Sequence, residues 1–196
     1  MSSGCCSDNE VEVLLLMGPP GVGKGTQADI LAKARNLRKL STGEMLRDHV
    51  KRETDLGKRA KIVIEAGDLV SDEIIVGMVK SELENMKTIR VLLDGFPRTV
   101  VQAEELDRLL KVLGVEIARV ISIEAEQEQL VARLLKRAED LGRSDDNEET
   151  ILNRMKVYKE LTEPLISYYQ KQDKLVSVNG SGTVEQVAAG ISEVLS

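Results

Sequence analysis

The chain has 196 residues, 42% apolar and 31% charged, the make-up of one globular domain and not of a disordered or fibrous segment. Lys and Arg total 27 against 33 Asp and Glu, a net charge of −6, which disfavours general binding to nucleic acid or anionic membrane. The single His and the adjacent pair Cys5 and Cys6 exclude four-thiol zinc sites, paired-imidazole sites and a disulfide framework.

Residues 1–9 are small and polar and read as a disordered tail, with no basic and apolar pattern of a signal peptide. Val11–Met17 is an apolar, β-branched run ending at Gly18-Pro19-Pro20-Gly21, a buried strand meeting a tight turn. Lys24 to about Arg35 has helical spacing, and a short strand follows around Lys39-Leu40. Ser41 and Glu44 have capping-box spacing and open a helix to about Lys51. Leu56 to Ala66 is a helix stopped by Gly67, and Ser71-Asp72 caps another running through Leu83.

Arg90–Leu93 is a strand ending at Asp94-Gly95-Phe96-Pro97, followed by a helix from about Val100 to Leu113. Ile117–Ile123 is a strand and Glu126 to about Arg137 a helix. Glu139–Asn147 has no apolar face and reads as a loop. From Asn147 or Glu148 to Gln172 one long helix is expected, kinked at Pro164. Leu175–Val178 is the last strand and Val184–Leu195 the last helix. Strands that alternate with helices demand a parallel sheet covered on both faces. The stretch 41–88 is too long for one crossover and implies a small helical lobe beside the sheet.

Gly18-Pro-Pro-Gly-Val-Gly23-Lys24-Gly25-Thr26 lies between a strand and a helix, the context of a phosphate-binding P-loop. Glycines let successive N–H groups approach phosphate oxygens, the helix N-terminus adds its dipole, and Lys24 adds a full charge. Gly25 stands where Ser or Thr usually follows the Lys, and Thr26 comes one residue later. Asp94, at a strand end that a parallel sheet sets beside the loop, can hold Mg²⁺ or its waters. GTPase motifs fail: Asp94-Gly95-Phe96-Pro97 ends in Pro, and Gln170-Lys171-Gln172-Asp173 begins with Gln. Arg47, Arg98, Arg133, Arg137, Arg143 and Arg154 are each ordinary surface residues taken singly; gathered round a P-loop they suit many phosphate oxygens.

From Val11 to Leu195 the chain resembles nucleoside monophosphate kinases, most closely the adenylate kinases with a short lid. The resemblance is carried by Gly18–Gln27, Leu40–Arg47, Gly67–Asp72, Leu93–Gln102, Arg133–Arg137, Gly142–Glu149 and Tyr158–Tyr169. Gly25 is what this family has.

The resemblance implies a three-layer P-loop α/β fold on a five-stranded parallel sheet. After a tail of residues 1–10, one kinase domain spans 11–196: core 11–40, 71–136 and 148–196, AMP lobe 41–70, lid 137–147. It implies that Gly21, Val22, Gly23, Lys24, Gly25 and Thr26 hold the ATP phosphates, that Arg133 and Gly182 lie near the ATP adenine, and that Arg137 contacts phosphate. AMP falls to Thr42, Arg47, Asp68, Leu69, Val70, Gly95, Phe96, Pro97, Arg98 and Gln102. Arg143 and Arg154 reach the transferring phosphoryl, Asp94 orders Mg²⁺ waters, and Asp145 and Asp146 position the lid arginines. Lys24, Arg98, Arg137, Arg143 and Arg154 form the catalytic set. Thr42 and Gln102 match the adenylate type; relatives preferring UMP or CMP tend to carry Ala and Asn there.

Only Ala138–Gly142 separate Arg137 from Arg143, without Cys or His, so no structural zinc is expected. Glu44, Ser71 and Asn179 depart from the family's usual Asp, Pro and Asp, and none of them removes a phosphate ligand. The expected reaction is Mg·ATP + AMP ⇌ 2 ADP, by a cytoplasmic monomer without nucleic-acid or membrane partners. A kinase for another monophosphate and a catalytically silent nucleotide-binding protein are the competing readings.

Overall fold

The computed structural model describes residues 11–141 and 147–196. The expected alternation forms a three-layer sandwich. Its strands are β1 (Glu12–Met17), β2 (Arg38–Ser41), β3 (Arg90–Asp94), β4 (Arg119–Glu124) and β5 (Leu175–Asn179). All pair in parallel, in the order β2-β3-β1-β4-β5. The chain passes from β1 to β2 towards one edge and from β3 across β1 to β4 towards the other, and this reversal opens a crevice at the carboxyl edge of the sheet. Register sets Asp94 level with Leu16 of β1 and Ser41 of β2, so its carboxylate emerges beside the first loop.

Alternation along the strands supplies two cores. Val13, Leu15, Met17, Val91 and Leu93 face one side. There they meet α4 (Asp72–Glu84), α5 (Val100–Val112) and α8 (Pro164–Gln170) through Val79, Leu83, Leu106, Leu110 and Leu165. Tyr169 is sealed in this core, its ring edge-to-face with Tyr168 at 5.0 Å between centroids. Leu14, Leu16, Leu92, Ile121 and Ile123 face the other side, against α1 (Lys24–Ala34) and α9 (Val184–Val194). Truncating one such Leu to Ala costs about 2–5 kcal/mol. Between β2 and β3, α2 (Thr42–Lys51) and α3 (Asp55–Ala66) pack on each other. Then come α6 (Gln127–Leu141) and α7 (Glu148–Val157).

Three local expectations are corrected. Ser41 makes no side-chain cap on α2, and Glu44, the other half of the expected box, accepts instead from Lys39 Nζ, 2.7 Å away. Helix α6 runs past Arg137 to Leu141, since Ala138–Leu141 contains no breaker before Gly142. The expected single helix after Asn147 is divided: α7 gives way to a π-helical turn, Tyr158–Thr162, and α8 restarts with Pro164 at its first position. Pro164 has no N–H to give, so the helix accommodates it by a wider turn just before it, and not by a kink inside α-geometry. Asn147 does cap α7, its side chain accepting from Thr150 N–H.

Candidate functional site

The chain leaves β1 at Gly18 and enters α1 at Lys24. Gly18 and Gly21 have φ of 144° and 84°. A Cβ on Gly18 would lie 2.4 Å from the Ile123 carbonyl, and one on Gly21 2.7 Å from that of Leu130. Only glycine lets the loop run this close to β4 and α6. At Gly23 and Gly25, by contrast, nothing lies within 4 Å of a would-be Cβ. No side chain caps α1, so its first N–H groups and dipole are offered to an anion.

Lys24 donates to the carbonyls of Gly18 (2.6 Å) and Pro19 (2.9 Å), which folds its ammonium back across the loop. Burial pulls its pKa down to about 8; nearby Asp94 opposes this, and Arg98 and Arg137 reinforce it.

Beyond Asp94, which is 7% exposed, the Gly95 carbonyl gathers two ligands of its own. Thr42 Oγ1 donates to it at 2.9 Å and Arg98 Nε at 2.8 Å. The Arg98 carbonyl in turn accepts from Thr162 Oγ1 at 2.8 Å, so the π-helical turn braces the Arg98 backbone. Burial and the Arg154 charge push the Arg98 guanidinium below its usual range while Asp94 counters them; a guanidinium remains charged regardless.

Opposite, α7 grips the end of α3. Thr150 Oγ1 donates to Glu65 O at 3.0 Å, and Asn153 Nδ2 donates to Ala66 O at 2.9 Å and Asp68 Oδ1 at 2.8 Å. These bonds satisfy helix-end carbonyls and hold the Asp68–Val70 strand of chain at the cleft edge. On α6, Arg133 Nη1 donates to the Gly180 carbonyl, 3.0 Å away.

The cleft has a volume of about 490 Å³, the size of a small-molecule site. Gly21, Gly23, Lys24, Gly25 and Thr26 line it from the P-loop side. Thr42, Arg47, Asp68, Leu69 and Val70 line it from the helical lobe, with Asp94, Gly95, Pro97, Arg98 and Gln102 at the sheet edge and Arg133, Arg137 and Arg154 from α6 and α7. Val22 and Phe96 lie beneath it, 3% and 1% exposed, and contribute backbone and packing. Gly182 is not in the wall; its neighbour is Gln186, and the residue that meets Arg133 is Gly180. Arg143, Asp145 and Asp146 lie outside the described residues, as do Cys5 and Cys6.

Sequence reasoning missed Leu46, Ile64 and Ile75, which give the cleft an apolar side near Gln102 and Val70. It also missed Tyr158 and Thr162 as wall residues; their signal is the π-helical turn ahead of Pro164. Burial, with Glu163 and Glu124, pushes the Tyr158 phenol up to about 12, so it stays protonated.

A cleft with six cations, one of them in a P-loop, and an apolar side wall suits transfer of a phosphoryl group between two phosphorylated small molecules. By class the protein is a P-loop kinase of nucleotides. The model of the family described as adenylate kinase matches residues 16–174. The chain is 50% identical over 184 residues to an adenylate kinase of Thermus thermophilus, covering 94% of this chain and 97% of the relative. It is 45% identical over 187 residues to one from Deinococcus deserti (92% and 95% covered) and 45% over 183 residues to one from a Synechococcus strain (93% and 95%). The chain belongs to the adenylate kinase family, and its activity is phosphoryl transfer between ATP and AMP.

Proposed function

We propose that the two nucleotides meet head to head in this cleft, ATP over the P-loop and AMP between the helical lobe and the sheet edge. The observation that carries this reading is the division of the walls. Lys24, Arg98, Arg137 and Arg154 feel one another's charge around Asp94, while apolar Leu46 and Ile64 line the cleft from the lobe helices α2 and α3.

The acceptor is a phosphate oxygen of AMP, already anionic, so no base is needed to activate it. The composition of the cleft agrees: the chain's one His, His49, sits on α2 with Nδ1 3.0 Å from Thr54 Oγ1 and is not in the wall. Lys24 leaves its loop carbonyls for the β- and γ-phosphates when these arrive. Arg98 holds the AMP phosphate, and Arg137, Arg143 and Arg154 neutralise the transferring group in line between donor and acceptor oxygens. The bond from the γ-phosphorus to its bridging oxygen breaks as the bond to the AMP oxygen forms, leaving two ADP.

The residues fit a magnesium ion. Asp94 is a buried carboxylate beside the loop and Thr26 an exposed hydroxyl in the wall, hard oxygen donors of the kind Mg²⁺ takes alongside water and phosphate. When bound there it would neutralise charge on the donor phosphates. We read the protein as a cytoplasmic monomer; among the described residues no helix is long and apolar enough to cross a membrane.

A coupled assay of ATP with AMP, UMP, CMP and GMP tests the proposal. AMP is expected to be the best acceptor by at least an order of magnitude. Equal turnover of UMP or CMP would move the assignment to another monophosphate.

A further inference from the structure

Gln102 stands in the first turn of α5, 1% exposed, at the wall of the cleft. Its Oε1 accepts from the Arg98 N–H at 2.8 Å, and its Nε2 donates to Asp72 Oδ1 at 2.7 Å. Asp72 opens α4, on the far side of the lobe's return to the core. The same Asp72 oxygen accepts from Thr99 Oγ1 at 3.1 Å, and Thr99 Oγ1 caps α5 by accepting from the Gln102 N–H, also at 3.1 Å. One carboxylate oxygen therefore ties the first turns of two helices to a single amide.

A carboxamide is nearly symmetrical in shape but opposite in chemistry at its two ends. Nothing steric decides which way round it sits; its neighbours do. A backbone N–H only donates and a carboxylate only accepts, so Arg98 and Asp72 together permit one orientation. In that orientation Oε1 keeps one lone pair and Nε2 one hydrogen.

We infer that Asp72 is a positioning residue that fixes the polarity of the Gln102 amide, and thereby sets the choice of 6-amino over 6-oxo purine monophosphates. Adenine offers an amino donor beside a ring acceptor, which the remaining lone pair and hydrogen complement. The 6-oxo purines present a carbonyl where adenine has its amino group. Against the fixed amide that carbonyl meets Oε1, acceptor against acceptor; only the inverted amide would receive it. The inference rests on the proposal that AMP lies against Gln102.

The test compares kcat and KM for AMP, inosine monophosphate and GMP, with ATP held saturating, in four proteins: wild type, Asp72→Ala, Asp72→Asn and Gln102→Ala. Asp72→Ala removes one of two anchors and is expected to narrow the ratio of kcat/KM for AMP over inosine monophosphate about tenfold, mostly through KM. Asp72→Asn keeps the size but can meet the amide either way round, and should narrow the ratio by about threefold. The KM for ATP should not move in either. A loss of thermal stability or kcat with the ratio intact would make Asp72 a structural tie only and overturn the inference. If Asp72→Ala fails to fold, Asp72→Asn decides: an unchanged ratio overturns it. Gln102→Ala separates the two levels. If it also leaves the ratio at the wild-type value, the base is not read there and the AMP placement fails first. If it collapses the ratio while both Asp72 variants keep it, only the role of Asp72 is lost.

Discussion

Arg133, near the middle of α6, donates through Nη1 to the carbonyl of Gly180, 47 residues away in the turn after β5. The bond pins the turn against the helix that lines the proposed ATP side. It also leaves the flat guanidinium in the cleft wall, where a planar base can lie on it. Arg133→Ala should raise KM for ATP several-fold and leave KM for AMP unchanged. It should cost about 1.5–3 kcal/mol of stability through the lost charge-assisted bond. Steady-state kinetics and a urea titration read the two effects separately; a rise in KM for AMP instead would misplace the donor nucleotide.

Lys24→Met should lower kcat by about 10²–10³-fold or more, because the group that meets the moving charge is gone. The same change should not lower Tm. Burial disfavours the charged form of Lys24, whose folded pKa of about 8 lies below the ordinary 10.5. Between those values the unfolded chain holds more protons than the folded one, so wild-type stability rises with pH over that interval. The variant lacks the group, so the wild type should gain on it as pH climbs from 8 towards 10.5. In the free enzyme, kcat/KM for ATP should fall as pH passes about 8. Melting curves and pH profiles of both proteins check this, and a pH-independent Tm difference would contradict it.

Arg98→Ala should weaken AMP, UMP and CMP alike, by about 10–100-fold in kcat/KM, since a phosphate carries no base identity. The fold should survive, because Thr42 still donates to the Gly95 carbonyl. Acceptor competition assays in the variant decide; a selective loss for AMP would place Arg98 at the base.

Gly67→Ala should be destabilising by about 1–3 kcal/mol. Gly67 ends α3 at φ 81°, and a Cβ there would sit 2.9 Å from the Thr150 carbonyl and 3.0 Å from its methyl. To relieve the clash α3 must move off α7, which displaces Asp68–Val70 and should raise KM for AMP more than KM for ATP. Unchanged AMP kinetics would mean that the grip of α7 on α3 does not position the acceptor.

Metal analysis of the purified protein should find no stoichiometric zinc, and a chelator should leave Tm in place. Ala138–Gly142 offers neither thiol nor imidazole, and Cys5-Cys6 alone cannot complete a tetrahedral site. One tightly held zinc per chain would overturn the short-lid reading.

The parallel sheet and the P-loop were legible because local signals and global fold agree there: an apolar strand, glycines, then a helix. Where two local signals compete, sequence reasoning chose the wrong one. Glu44 could cap α2 or pair with Lys39, and only the position of β2 makes Lys39 the nearer partner. Pro164 announced a disturbance in the helix but not its form, since a kink and a wider turn share the same residue signal. That Arg133 meets the Gly180 carbonyl depends on how α6 lies against a turn 47 residues further along the chain, which no local pattern shows. The tie between Asp72 and Gln102 joins side chains 30 residues apart on different helices, a relationship no spacing rule encodes.

The placement of the three tyrosines has an optical consequence. The chain has no Trp, so these phenols carry its near-ultraviolet absorption and emission. Tyr169 is sealed in the core with Tyr168 against it, and Tyr158 stands in the cleft wall. The signal therefore divides into a steady interior part and a part that senses what enters between the walls. The protein carries its own label, and nucleotide arrival can be followed by light in the unmodified chain.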